Sequence, residues 1–141
     1  MKKLLLILLC LPFIGFGQQT YVPDDNFEAY LEANGMGNGI ANDDYVTTAN
    51  INNVFFLDVS NMNIADLTGI NDFTYLGRLY CFNNQLTFLD ISNIPNITDV
   101  WTWGNQINCL DISNNPDINY LACGDNLLEQ LNTKNGNWTN T

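Results

Sequence analysis

Between residues 57 and 131 the apolar positions fall on a fixed beat. Leu89, Leu110 and Leu131 stand 21 residues apart, and the pentapeptide LDISN at 89–93 returns at 110–114. The stretch LYCFNNQL at 79–86 becomes VWTWGNQI at 100–107 and LACGDNLL at 121–128, at the same interval. A period in the twenties predicts stacked coils, each too small to bury its own apolar face. Within one coil, Leu76, Leu79, Cys81, Asn84 and Leu86 follow the pattern LxxLxCxxNxL. Alternate residues of a short strand then point inward, and the asparagine turns the chain, its amide meeting backbone groups that the turn leaves unpaired. Four coils are expected, beginning near Leu57, Leu79, Val100 and Leu121, with Asn84, Asn105 and Asn126 as a ladder. The first coil is one residue longer and carries Met62 where the others have asparagine. A terminal repeat is expected to deviate.

Ahead of the repeats the period changes. Pro23 and Asp24-Asp25 predict a helix start with carboxylates near the positive end, and Phe27, Tyr30 and Leu31 share a face at i, i+3, i+4 spacing. Asn34-Gly35 stops it. Such a helix covers the open edge of the first coil, which otherwise exposes unpaired backbone and core leucines. The segment NGMGNGIANDD that follows has the glycine content of a calcium loop. Met36, however, stands where an oxygen ligand is required, and Tyr45 occupies the place of the closing glutamate, so a plain turn is expected.

The segments YVPDDNFEAYLEANG and VTTANINNVFFLDVSNMNIADLTGINDFTYL, with the tandem LxCxxNQLTxLDISN units, resemble the secreted leucine-rich-repeat proteins of Bacteroidota. The likeness covers nearly all of the chain after residue 17. It implies an α/β repeat fold: a short right-handed leucine-rich-repeat solenoid of about four coils with an N-terminal helical cap. It also implies a binding role at the cell surface or outside the cell, often within a longer protein exported by type IX secretion. No catalytic residues and no cofactor come with it. The expected divisions are a signal peptide at 1–17, the cap at 18–53, the repeats at 54–131 and an incomplete last coil at 132–141.

Composition narrows the function. Met1-Lys2-Lys3, an apolar run from Leu4 to Ile14 and Gly15-Phe16-Gly17 read as a signal peptide cleaved near Gly17, which places the protein outside the cell or on its surface. The run is too short to span a bilayer, and Cys10 lies inside it rather than at a lipid-modification site. Losing Lys2 and Lys3 takes the net charge from −11 to −13, and only Arg78 and Lys134 remain as cations. So acidic a chain repels phosphate backbones, which makes nucleic acid and anionic lipid poor partners, and neither is expected. It contains no histidine, which removes Ser-His-Asp, Cys-His and zinc-enzyme chemistry. Cys81 and Cys123 occupy one slot two coils apart, with Thr102 between them, too far for a disulfide. With Cys109 they are expected as small buried hydrophobes.

The outward slots of the strands carry the candidate site. They hold Phe56, Asp58 and Ser60, then Arg78, Tyr80 and Phe82, then Asp99, Trp101 and Trp103, then Tyr120, Ala122 and Gly124. Phe56, Arg78, Tyr80, Phe82, Asp99, Trp101, Trp103 and Tyr120 would form an aromatic patch set with charge, of the kind that anchors a protein partner or stacks on sugar rings. The alternative is bracing, since aromatic pairs on neighbouring strands stabilise a sheet by about 0.2–1 kcal/mol each. A second strand in each coil presents Thr87, Asp90 and Ser92, then Asn108, Asp111 and Ser113, then Glu129 and Asn132; Asp90 and Asp111 are expected to cap turns. Asp58 with Asp99 is the one carboxylate pair that an enzyme could use, and no cleft is evident around it, so no enzyme is expected. After Lys134 no capping helix or sorting domain is visible. The expectation is a fragment, or an open C-terminal edge that pairs with another copy.

Overall fold

The computed structural model describes residues 17–133. The apolar run with Cys10, and the stretch from Lys134 through Trp138, fall outside the described residues. Four parallel strands form one sheet in the order β3 (Phe56–Asp58), β4 (Arg78–Tyr80), β5 (Asp99–Trp101) and β7 (Tyr120–Ala122). Their registers align Leu57, Leu79, Val100 and Leu121 as one inward rung. The first three are buried, while Leu121 on the edge strand is half-buried. This sheet is the wall of a solenoid whose core is a column of leucine, isoleucine and valine, continuous from the cap to the third coil.

The asparagine ladder explains both the regularity of the coil and its exception. Each asparagine serves the coil before it as well as its own. Asn105 donates to the Cys81 and Thr102 carbonyls at 3.0 Å each, and its Oδ1 accepts from the Leu86 N–H at 3.0 Å. Asn84 bonds in the same way to the Val59 and Cys81 carbonyls and to the N–H groups of Met62 and Ile64, and Asn126 repeats the pattern one coil later. Because the amide reaches backwards, the first coil needs no asparagine of its own, and position 62 is free to be methionine. A second ladder runs beside it. Asn61, Asn83, Gly104 and Asp125 take φ of 61°, 53°, 70° and 49°, and these are residue types that tolerate the left-handed region.

The cap is more elaborate than one helix. α1 (Asp25–Ala33) follows Asp24, whose Oδ1 accepts from the N–H groups of Asn26 and Phe27 at 3.0 Å each. The other oxygen of Asp24 accepts from Ala65 at 2.8 Å and Asp66 at 3.1 Å, which pins the helix start to the first coil. Phe27 and Leu31 are fully buried, and the Phe27 ring stacks on Phe73 with centroids 6.3 Å apart. Not foreseen were an antiparallel pair, β1 (Gln19–Tyr21) with β2 (Tyr45–Thr47), and the short α2 (Thr48–Ile51). Alternation in QTYV and YVT was the signal for the pair. It closes on the first coil through Thr20, whose hydroxyl donates to Asp72 at 2.6 Å. At Gly69, with φ 99°, a Cβ would sit 2.7 Å from the Tyr21 carbonyl oxygen, so only glycine permits that approach.

The side of the solenoid remote from the main sheet corrects two expectations. A second strand is present only in the last two coils, as β6 (Cys109–Asp111) paired with β8 (Gln130–Asn132). In the second coil, residues 88–90 form no strand. Shallow clefts of about 210 and 180 Å³ flank this stretch, and Phe88 lines both. Where the coils stand apart, the ladder cannot close. Cys109, expected to be buried, is exposed, with its Sγ 3.9 Å from Gln130 Oε1. Cys81 does lie in the core; burial pushes its thiol up to about 12, with the neighbouring Thr102 hydroxyl opposing. Burial raises the half-buried Cys123 as well. All three are free thiols, and the two raised ones stay protonated and unreactive near neutrality.

Candidate functional site: the aromatic strand face

The eight residues proposed from the sequence lie together on the outer face of the main sheet. Register sets the first two rows: Phe56, Arg78, Asp99 and Tyr120 align in one, and Asp58, Tyr80, Trp101 and Ala122 in the next. Beyond the strands the pairing continues, with the N–H of Asn61 bonded to the Phe82 carbonyl and that of Asn83 to Trp103. The third row is therefore Ser60, Phe82, Trp103 and Gly124. Strand spacing of about 4.8 Å matches the thickness over which rings stack. Tyr80 stacks on Trp101 at 4.6 Å, Trp101 on Tyr120 at 5.5 Å, and Phe82 on Trp103 at 4.7 Å with planes 6° apart. Phe56 meets Tyr80 edge-on at 5.0 Å.

Exposure grades across the patch. Phe56 and Tyr120 are about half exposed, at 49% and 50%, while Tyr80, Phe82, Trp101 and Trp103 are partly covered by each other. Arg78 Nε lies 3.7 Å from Asp99 Oδ2 and sets an ion pair among the rings. Asp99 also accepts from the Thr98 hydroxyl at 2.6 Å. The indole Nε1 of Trp101 is enclosed without a hydrogen-bond partner among the described residues. Ser60, expected to face outward, is buried instead.

The carboxylates are occupied structurally. Asp58 accepts from the Ser60 N–H at 3.1 Å, and Asp99 is held as described, with β4 between them. Two strand spacings, roughly 10 Å, separate the strands that carry them. On the far side Asp90 accepts from the Ser92 N–H at 2.9 Å, and Asp111 from the Ser113 N–H at 2.8 Å. The Ser92 backbone bond holds Asp90 below the usual carboxylate range, and the Ser113 hydroxyl does the same for Asp111. These are turn caps. The loop at 36–44 is likewise built on acids of α1. Asn38 and Gly39 donate to Glu32, and Asp43 and Asp44 donate to the buried Glu28. That closure brings carboxylate oxygens of Asp25, Glu28 and Asp44 within 4.8 Å of one another, a cluster not anticipated because Glu28 reads as a solvent-facing helix residue.

Four parallel strands at a period of 21 or 22 residues, a leucine column and an inward asparagine ladder decide the architecture. The fold is a short leucine-rich-repeat solenoid. Among solved structures, the functional domain of InlJ from Listeria monocytogenes matches with a TM-score of 0.67 at 30% identity, over 83% of this chain and 29% of that one. Internalin InlF from the same organism matches at 0.65 and 24% identity, over 75% and 31%. Internalin C2 matches at 0.58 and 22%, over 72% and 48%. This leucine-rich-repeat chain therefore spans less than half the length of each. The InlJ domain includes a cysteine ladder. No protein-family model and no curated protein matches the sequence. No helix among the described residues is long and apolar enough to cross a membrane.

Proposed function

We propose that the chain is a secreted or cell-surface binding module, which recognises a protein or glycan through Phe56, Arg78, Tyr80, Phe82, Asp99, Trp101, Trp103 and Tyr120. The observation that carries this reading is the contiguity of six aromatic side chains, partly or half exposed, around one ion pair on a rigid four-strand sheet. Exposed aromatic patches set with arginine are what protein interfaces use as anchors. The internalin likeness, all leucine-rich-repeat proteins, supports a protein-binding repeat module rather than an enzyme.

Ring stacking favours a second reading. Tyr80, Trp101 and Tyr120 lie against one another as braces would, and the chain would then be a spacer within a longer exported protein. An array of glycans and surface proteins, probed with residues 18–141, separates the two. Loss of binding in a Trp101→Ala, Trp103→Ala variant that keeps its circular dichroism supports recognition. Phe56→Ala, at the half-exposed rim, serves as a variant that leaves the stacks in place. Wild-type binding unchanged by either variant, or absent from the whole array, supports the spacer.

A further inference from the structure

Stacking along the solenoid decides which parts of the rings a ligand can reach. Trp101 lies between Tyr80 and Tyr120, with planes 24° and 29° from its own, so both of its faces are covered. Phe82 covers one face of Trp103. The residue in register on the other side of Trp103 is Gly124, whose carbonyl accepts from the Gly104 N–H at 3.2 Å. Gly124 is exposed, and a Cβ built there meets nothing within 4 Å. Among the described residues no ring covers the second face of Trp103, on the side where Gly124 and Ala122 stand.

Charge selects the occupant. The described residues carry 15 carboxylates and one cation, Arg78, which is already paired with Asp99. Exposed Asp125 directly follows Gly124. An indole face attracts cations more strongly than any other ring, and a planar guanidinium stacks on it. A glycan chain would stack on a succession of open ring faces, whereas both faces of Trp101 and one face each of Tyr80, Tyr120, Phe82 and Trp103 are already covered.

We propose that the face of Trp103 on the Gly124 side, which no described ring covers, is a subsite for a cationic side chain, arginine first, supplied by a basic protein partner. This rests on the strand face being a binding surface and narrows its ligand from protein or glycan to basic protein. The probe is the blocked tripeptide Gly-Arg-Gly titrated into ¹⁵N-labelled residues 18–141, with Gly-citrulline-Gly and methyl β-glucoside in parallel. The result expected is saturable shifts at the Trp103 indole N–H and the Gly124 amide with arginine, at least severalfold weaker with citrulline. Gly124→Phe, which extends the Phe82–Trp103 stack over that face, abolishes them while circular dichroism is unchanged. The subsite is overturned by shifts with the glucoside alone, by no shifts, by arginine shifts scattered over the acidic surface without saturation, or by shifts that survive in Gly124→Phe. An array ligand lost in Trp101→Ala, Trp103→Ala but kept in Gly124→Phe leaves the strand face as a binding surface and removes only the subsite.

Discussion

The two long sides of the solenoid are made from the same repeat and behave differently. On the strand side four consecutive coils pair, the asparagine ladder turns its amides inward, and the outward rows carry rings. On the far side only β6 and β8 pair, and the outward carboxylates of Asp90 and Asp111 are held by their own backbone. Polar groups satisfied inside leave the outer positions of a sheet free for a partner. Polar groups satisfied outside leave little to offer one. An outward-facing acid is thus weak support for a site until its hydrogen bonds have been traced, and an outward-facing ring until its faces have been.

The comparison breaks most easily at the ladder. Asn105→Ala strands the Leu86 N–H and removes donors from two buried carbonyls, and at about 1 kcal/mol or more for each it should cost on the order of 3 kcal/mol. Urea denaturation measures this, and a loss under about 1 kcal/mol would show that the strand side does not depend on the ladder. A smaller contrast comes from one ring on each side. Trp101→Ala loses two stacked neighbours and should cost about 2 kcal/mol, while Phe88→Ala, 67% exposed and with no ring partner among the described residues, should cost less than about 0.5 kcal/mol. Equal costs in thermal melts would erase the distinction between the faces.

The smallest effect sits in the turn caps. Asp90 is held below the usual carboxylate range in the folded chain, first by the Ser92 backbone N–H. Its contribution is therefore present above the unfolded-state value and is lost as pH falls through the lower folded value. Asp90→Asn should lower neutral stability slightly and leave stability in strong acid nearly unchanged, which flattens the acid limb of a stability-against-pH curve. A steepened limb would mean that Asp90 is not the group being protonated.

Much of this was legible in the chain. The period located the four inward rungs, Asn84, Asn105 and Asn126 were identifiable as the turning residues, and Asp24 could be read as a helix start. The outer rows followed from alternation, so the eight candidate residues could be named before their contacts were known. The burial of Glu28, the exposure of Cys109 and the missing strand at 88–90 could not. Each depends on the distance between segments far apart in sequence, which no local pattern records.

The pentapeptide LDxSN shows where the division falls. It occurs at 57–61 on the strand side and at 89–93 and 110–114 on the opposite side, yet in all three the aspartate accepts the N–H of the serine two residues on. That bond spans two residues and forms wherever the motif is placed, so the sequence alone determines it. Whether neighbouring coils then pair, whether a ring finds another ring or only Gly124 beside it, and whether an acid is buried are set by stacking. Those outcomes sum over contacts between coils 21 or 22 residues apart, and only the tertiary structure brings such residues together.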